Sequence, residues 1–207
     1  MSRWAARVFG LSCLSVLAFI SAARSQDAAS NDAGHPLFNG KDLQGWLADP
    51  MATEHWKVKE GVLHADGKGH NLISEANYRD FELVVEWRAV AGSHGGVWIR
   101  SRPKIAIENP AMNDAGSGGL VNNKEKPAKP ATKADKPAGE WNTFKIDVSG
   151  SVVSVHLNDQ LIVDKAVMEN AFDSSRKLPV TGKIELEAMG PIEFRKIEIK
   201  PTEGAAQ

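Results

Sequence analysis

Glu86 and Arg88, Trp98 and Arg100, and Glu185 and Glu187 occupy the polar sides of three segments that alternate apolar and polar residues. Placed on one sheet, they would bring carboxylates, guanidiniums and an indole onto one solvated surface. Such a surface suits a saccharide: the ring stacks on the apolar C–H face of a sugar, while Arg and carboxylate forks bond its hydroxyls. Trp98 is the most telling of the set, because an outward tryptophan flanked by Gly96 and Arg100 needs a reason. His94 stands just before it in a Gly-Ser-His-Gly turn. The plainer alternative is a pair of ordinary solvated faces whose cross-strand ion pairs contribute little.

The elements that carry these residues read as strands. From Phe81 to Ala89 the apolar side is Phe81, Leu83, Val85 and Trp87, against Glu82, Val84, Glu86 and Arg88. That period of two marks a half-buried strand. The same pattern recurs over 96–101, 141–148, 152–157, 160–167, 183–188 and 192–200. Asn158-Asp159 sits between two of these runs and predicts a hairpin. Between Phe194 and Ile197 the apolar phase slips, which predicts a bulge at Arg195-Lys196. No helical period is convincing outside the first 25 residues. Short strands with regular turn signals imply an all-β sandwich or jelly roll. Trp46, Trp56, Trp87 and Trp141 read as core anchors, with Trp141 plugging one end of the sandwich.

One segment interrupts the pattern. Gly116 to Glu140 begins as a glycine turn and continues through five lysines from Lys124 to Lys136, interleaved with proline. It predicts a long surface loop that packs no core, either solvated or serving as a lid over a site.

The ends set the compartment. Arg3 and Arg7 precede an apolar run from Val8 to Ala22, and Ala23 and Ser25 flank Arg24. That order predicts a secretory signal peptide over 1–25, too short to span a membrane as a helix. Cleavage near Ser25 is favoured over lipidation at Cys13, the only cysteine of the 207 residues. Residues 26–34 read as a flexible leader, 35–201 as one domain and 202–207 as a tail. With Arg3, Arg7 and Arg24 removed, 22 basic side chains remain against 26 acidic ones, a net charge of −4 with histidine neutral. That balance argues against nucleic acid and an anionic membrane surface as partners; the small saccharide is suggested by the polar strand faces instead. The mature chain carries no disulfide and no integral membrane segment, and a periplasmic or secreted location is expected. His35, His55, His64, His70, His94 and His156 show no metal-ligand spacing on one element. A divalent cation held by oxygen ligands stays open, because such ligands are too common to recognise by spacing.

Several runs, taken in order, resemble the 3-keto-disaccharide hydrolase domain family. They are Leu37-Phe38-Asn39-Gly40-Lys41-Asp42-Leu43-Gln44-Gly45-Trp46, Tyr78-Arg79-Asp80-Phe81-Glu82-Leu83, Glu86-Trp87-Arg88, and Gly116 through Asn142. Leu157-Asn158-Asp159-Gln160, Val167-Met168-Glu169-Asn170 and Ile192-Glu193-Phe194-Arg195-Lys196-Ile197 complete the set. The resemblance implies a concanavalin A-like jelly roll of two curved antiparallel sheets. It also implies action on glycosides oxidised to a ketone at C3.

A C3 ketone acidifies the C2 proton, so a base and an oxyanion stabiliser suffice to expel the C1 group by elimination. Strand facing makes Glu86 the candidate base and Arg100 or Arg195 its electrophilic partner. Arg88, Trp98, His94, Glu187 and Glu108 are candidate substrate contacts. The chain departs from the family pattern at several positions. His94-Gly95-Gly96 replaces Asn-Ser-Gly, and Met189 in Glu187-Ala188-Met189-Gly190 replaces a histidine. A Glu- or Gln-containing strand ending in Asp becomes Lys104, Ala106 and Asn109, with Glu108 out of phase and expected to face the other way. Alternatives to an enzyme are a non-catalytic carbohydrate-binding module and a cell-envelope interaction module.

Overall fold

A computed structural model describes residues 34–202, apart from 110–112, 122, 124–126, 171–172 and 174. The expected signal peptide with Cys13, the leader up to residue 33, the tail from residue 203 and part of the Lys/Pro loop lie outside the described residues.

In chain order the elements are β1 (His35–Pro36), helix α1 (Pro50–Thr53), β2 (Trp56–Lys59), β3 (Val62–Ala65), β4 (Leu72–Ile73), β5 (Phe81–Ala89) and β6 (His94–Ile99). They continue with β7 (Lys104–Ile107), β8 (Leu120–Val121), β9 (Asn142–Ser149), β10 (Val152–Leu157), β11 (Gln160–Val167), β12 (Ile184–Met189) and β13 (Ile192–Pro201). An eight-stranded sheet runs β11-β10-β9-β5-β13-β3-β2, with β1 also pairing β13. A five-stranded sheet runs β4-β12-β6-β7-β8. Every pairing between these strands is antiparallel. The fold is the jelly-roll sandwich that the alternation implies.

The period-two faces explain the core. Phe81, Leu83, Val85 and Trp87 of β5 are buried, as are Phe144, Ile146 and Val148 of β9. The smaller sheet contributes Val97, Ile99, Ile105, Ile107, Ile184 and Leu186 to the same cluster. In β13 the register against β5 shifts between Phe194 and Lys196, so Arg195 is the extra residue of a bulge. The bulge lets Phe194 and Ile197 both face inward across an odd spacing. α1 is a single turn whose N-cap, Asp49, accepts a hydrogen bond from the Met51 backbone N–H.

One buried ion pair joins the two sheets. Asp80 stands at the entry to β5 in the larger sheet, and Arg100 follows β6 in the smaller. Their side chains are 3% and 2% exposed. Arg100 Nη2 donates to Asp80 Oδ1 at 2.6 Å, and Nη1 donates to the Gly150 carbonyl at 2.5 Å. The Gly150 N–H closes the network on the same Asp80 oxygen at 2.8 Å. Burial pulls Arg100 below its ordinary pKa, and the charge and hydrogen bond of Asp80 oppose that fall.

Asp80→Ala strips this buried guanidinium of its counter-charge and is expected to lower the unfolding free energy by about 3–5 kcal/mol in urea titrations. Asp80→Leu combined with Arg100→Met should recover most of the loss. A cost below about 1 kcal/mol for Asp80→Ala would show that the pair does not hold the sheets together.

Candidate functional site

The three polar faces picked out in the sequence do not share a sheet. Glu86 and Arg88 lie on β5 of the larger sheet, whereas Trp98, Glu185 and Glu187 lie on β6 and β12 of the smaller one. Alternation specifies which side of a strand a residue takes, not which strand pairs with it, so this separation was not legible.

On the smaller sheet, Glu185 pairs with Trp98 and Glu187 with Gly96 across β12 and β6. Trp98 and Gly96 pair in turn with Lys104 and Ala106 of β7. The side chains at these positions converge on the face away from the core. Trp98 Nε1 donates to Glu187 Oε2 at 2.6 Å, and Lys104 Nζ donates to Glu187 Oε1 at 2.5 Å. Each oxygen of Glu187 therefore has a donor. The Lys104 ammonium lies 5.6 Å from the centroid of the Trp98 ring. Side-chain exposure is 15% for Lys104 and 13% for Glu187, so both are largely shielded from water. Asn71 Nδ2 holds Glu185 Oε2 at 3.2 Å beside them.

Gly96 makes the arrangement possible. A Cβ there would come within 2.4 Å of the Ile105 carbonyl oxygen and 2.7 Å of Lys104 Cγ. The lysine stem crosses the glycine, which directs its ammonium to Glu187. Lys104 was noted in the sequence only as a departure from the family pattern. Its opposite charge to Glu187 on a nearby alternating strand was the available signal.

A cleft of about 250 Å³ adjoins this face, with walls that include Ala106, Glu108, Gly119, Ala128 and Pro130. Glu108, one residue beyond β7, lines this cleft with Ala106 and also a smaller one with Trp87, Ala89 and Asn142. Asn109 is the residue that turns in, at 7% exposure. His94 is not in a turn: it begins β6 and pairs with Met189. Its Nδ1 is buried without a hydrogen-bond partner, while Met189 is exposed.

The described part of the Lys/Pro loop is fastened down. Leu120 donates its N–H to Ala128, Ala131 donates to Ile162 of β11, and Asn158 Nδ2 donates to the Ala134 carbonyl. Ala134 joins the core, which corrects the expectation of a segment that packs none. Small residues between the lysines allow this close approach.

The remaining candidates lie elsewhere. Arg195 Nε donates to Glu86 Oε2 at 2.5 Å on the larger sheet, and Arg88 Nε donates to Glu193. The Arg88 and Arg195 guanidinium carbons sit 4.7 and 4.4 Å from the Trp141 ring centroid. Trp141 is thus half-buried under two cations instead of plugging the core; Trp46, Trp56 and Trp87 are buried as expected. Arg100 is engaged with Asp80 and Gly150 and is not on the surface that bears Glu187. Among the described residues, no group of three or more His, Cys, Asp or Glu is placed to hold a metal ion, and no helix is long and apolar enough to cross a membrane.

A jelly roll with an indole, an ammonium and a carboxylate gathered on one open sheet face is the architecture of a carbohydrate-active protein. The chain belongs to the family of the 3-keto-alpha-glucoside-1,2-lyase-like domain, whose model matches residues 34–200. It is 25% identical over 167 residues to a 3-keto-disaccharide hydrolase of Bacteroides thetaiotaomicron, covering 62% of this chain and 57% of that protein. The match thus spans little more than half the relative's length. The fold is similar to a crystal structure from Parabacteroides distasonis, described provisionally as a glycosyl hydrolase, with a TM-score of 0.68, 21% identity, and 83% and 84% of the two chains covered. It is also similar to LamAcat from Zobellia galactanivorans, with a TM-score of 0.52, 12% identity, and 72% and 80% covered.

Two surface tryptophans separate the two faces experimentally. Saccharide-dependent quenching of tryptophan fluorescence is expected to weaken about tenfold in apparent affinity in Trp98→Ala, from loss of ring stacking. Trp141→Ala should retain the wild-type affinity. The reverse pattern would move the site to the larger sheet.

Proposed function

We propose that the face bearing Trp98, Lys104 and Glu187 cleaves 3-keto-glycosides by proton abstraction and elimination. The observation that carries this reading is the doubly held Glu187 carboxylate, with a cation and an aromatic ring on the same face. Trp98 stacks on the sugar ring. The C3 oxygen draws the Lys104 ammonium from Glu187, which frees a carboxylate lone pair. Glu187 then takes the C2 proton, and the electrons of the C2–H bond pass into the C3 enolate, stabilised by Lys104. Re-formation of the ketone makes the C1–C2 double bond and breaks the C1–O bond. The leaving alkoxide gains a proton, and water adds across the double bond, its oxygen at C1 and its hydrogen at C2.

This assigns the base to Glu187 in place of Glu86. Glu86 is engaged by Arg195 on the other sheet, away from Trp98 and Lys104. Membership of the family supports the substrate class. The N-terminal sequence supports export, so we place the reaction outside the cytoplasm.

A second reading, saccharide binding without turnover, draws on Met189. It stands where the family pattern has histidine, and a thioether neither moves protons nor carries charge at neutral pH.

The deciding experiment follows release of the leaving sugar from a 3-keto-disaccharide by chromatography, with and without chelator. Glu187→Gln should lower turnover by about 10²-fold or more, the typical contribution of a general base. Glu86→Gln should stay within about twofold of wild type. Full turnover in Glu187→Gln would remove Glu187 from the role. Binding of the ketone sugar with no release by the wild-type protein would establish the binding module instead.

A further inference from the structure

A second cleft, of about 330 Å³, opens where the turn between β9 and β10 meets the approach to β5 and the segment leading to β12. Arg79, Arg100 and Lys177 all line it, against a single carboxylate among the described residues, Asp80. The hydroxyl-bearing Ser149 and Ser151 flank Gly150 on one wall, and Leu178, Pro179 and Val180 form another. None of these residues belongs to the face that carries Glu187.

The charge balance is lopsided. Asp80 is committed: its Oδ1 accepts from both Arg100 Nη2 and the Gly150 N–H. Its Oδ2 lies 3.8 Å from Arg79 Nε, beyond hydrogen-bond reach. Arg79 is 64% exposed and keeps its donors for a ligand. Lys177 is exposed, and its ammonium has no carboxylate partner among the described residues. Pairing Asp80 with Arg100 therefore leaves Arg79 with only a distant carboxylate oxygen, and Lys177 with none among the described residues, at the mouth. Behind them, the buried Arg100 Nε finds no hydrogen-bond acceptor. A planar guanidinium fork, an ammonium and two hydroxyls around one concave space form a donor set with too few acceptors.

We propose that this cleft binds a small oxyanion: a carboxylate borne by an acidic saccharide, or free sulfate or phosphate. Arg79 and Lys177 supply the charge-assisted hydrogen bonds, Ser149 and Ser151 the neutral ones, and Arg100 a fixed positive potential from below. The apolar wall accommodates a carbon skeleton attached to the anion. The site goes beyond the proposed reaction and is independent of it.

The test is isothermal titration of the full chain with inorganic sulfate, inorganic phosphate and glucuronate, each against chloride at matched ionic strength. At least one should bind saturably. Arg79→Ala combined with Lys177→Ala should weaken it by tenfold or more, since each charge-assisted contact is worth about a factor of ten. Both side chains are exposed, so the unliganded thermal midpoint should not move, and Glu187→Gln should bind the anion normally. Glucuronate alone would identify a sugar carboxylate as the occupant; sulfate or phosphate alone would identify a free anion. No saturable binding above chloride, or unchanged affinity in the double variant, overturns the proposal.

Discussion

The Asp80–Arg100 pair is the constraint to which the rest of the sandwich is fitted. It joins strands of different sheets, and it does so where few alternatives exist. Removing two charges from water is expensive, and their attraction offsets that cost only with good geometry and additional hydrogen bonds. The Gly150 backbone supplies those bonds, an acceptor for Arg100 and a donor for Asp80. The backbone bends to keep them: Arg100 and Ser101 take positive φ of 51° and 55°. Gly182 passes so close to Arg100 that a Cβ would lie 2.5 Å from its carbonyl oxygen. With one end of β6 held in this way, the register of β6 against β12 and β7 is defined. That register is what brings Trp98, Glu187 and Lys104 together.

Local patterns in the sequence translate into local structure with few losses. The slip between Phe194 and Ile197 is a bulge because both residues must face inward across an odd spacing. Asn158 and Asp159 are a hairpin turn, with φ of 49° and 65°, because short polar side chains tolerate the left-handed region. The helix α1 escaped because one turn shows no periodicity. Its signal was the pair Asp49-Pro50, a capping carboxylate followed by a residue already bent for a first helical position. The failures are non-local. Glu86 and Glu187 have the same sequence signature, a carboxylate on the polar side of an alternating strand. Only strand order distinguishes them, and strand order is written in no single segment. Trp141 illustrates the same limit: it immediately precedes β9 next to the core, yet its ring meets Arg88 and Arg195, from β5 and β13.

The two carboxylates differ in a way that matters for chemistry. Glu86 faces Arg195 on an open surface, where two mobile charges are largely screened by water. Glu187 is more enclosed, and its partners approach from two directions. One is an indole N–H whose ring is the proposed platform for a sugar. The other is an ammonium whose stem lies across Gly96. A lysine suits this position better than an arginine would. Its charge is compact and its stem rotates, so the ammonium can leave one oxygen for another a short distance away. Gly96 provides the room, since any side chain there would collide with that stem.

On the proposed reaction, negative charge leaves Glu187 as it accepts the C2 proton and reappears on the C3 oxygen of the substrate. A fixed cation placed beside only one of these sites would favour either the reactant or the enolate. An ammonium shared between them follows the charge, so its stabilisation is retained as the proton moves. Before the ketone binds, the same ammonium and the Trp98 N–H keep the carboxylate compensated, and the partly shielded site carries no unpaired charge. The substitution of Met189 for histidine then has a natural reading within this scheme. Met189 lies at the far end of the face, opposite His94 and two residues along β12 from Glu187, and it projects to solvent. Neither the base nor the oxyanion cation of the proposed mechanism depends on it, so the loss of a titratable group there leaves the Glu187–Lys104 couple intact.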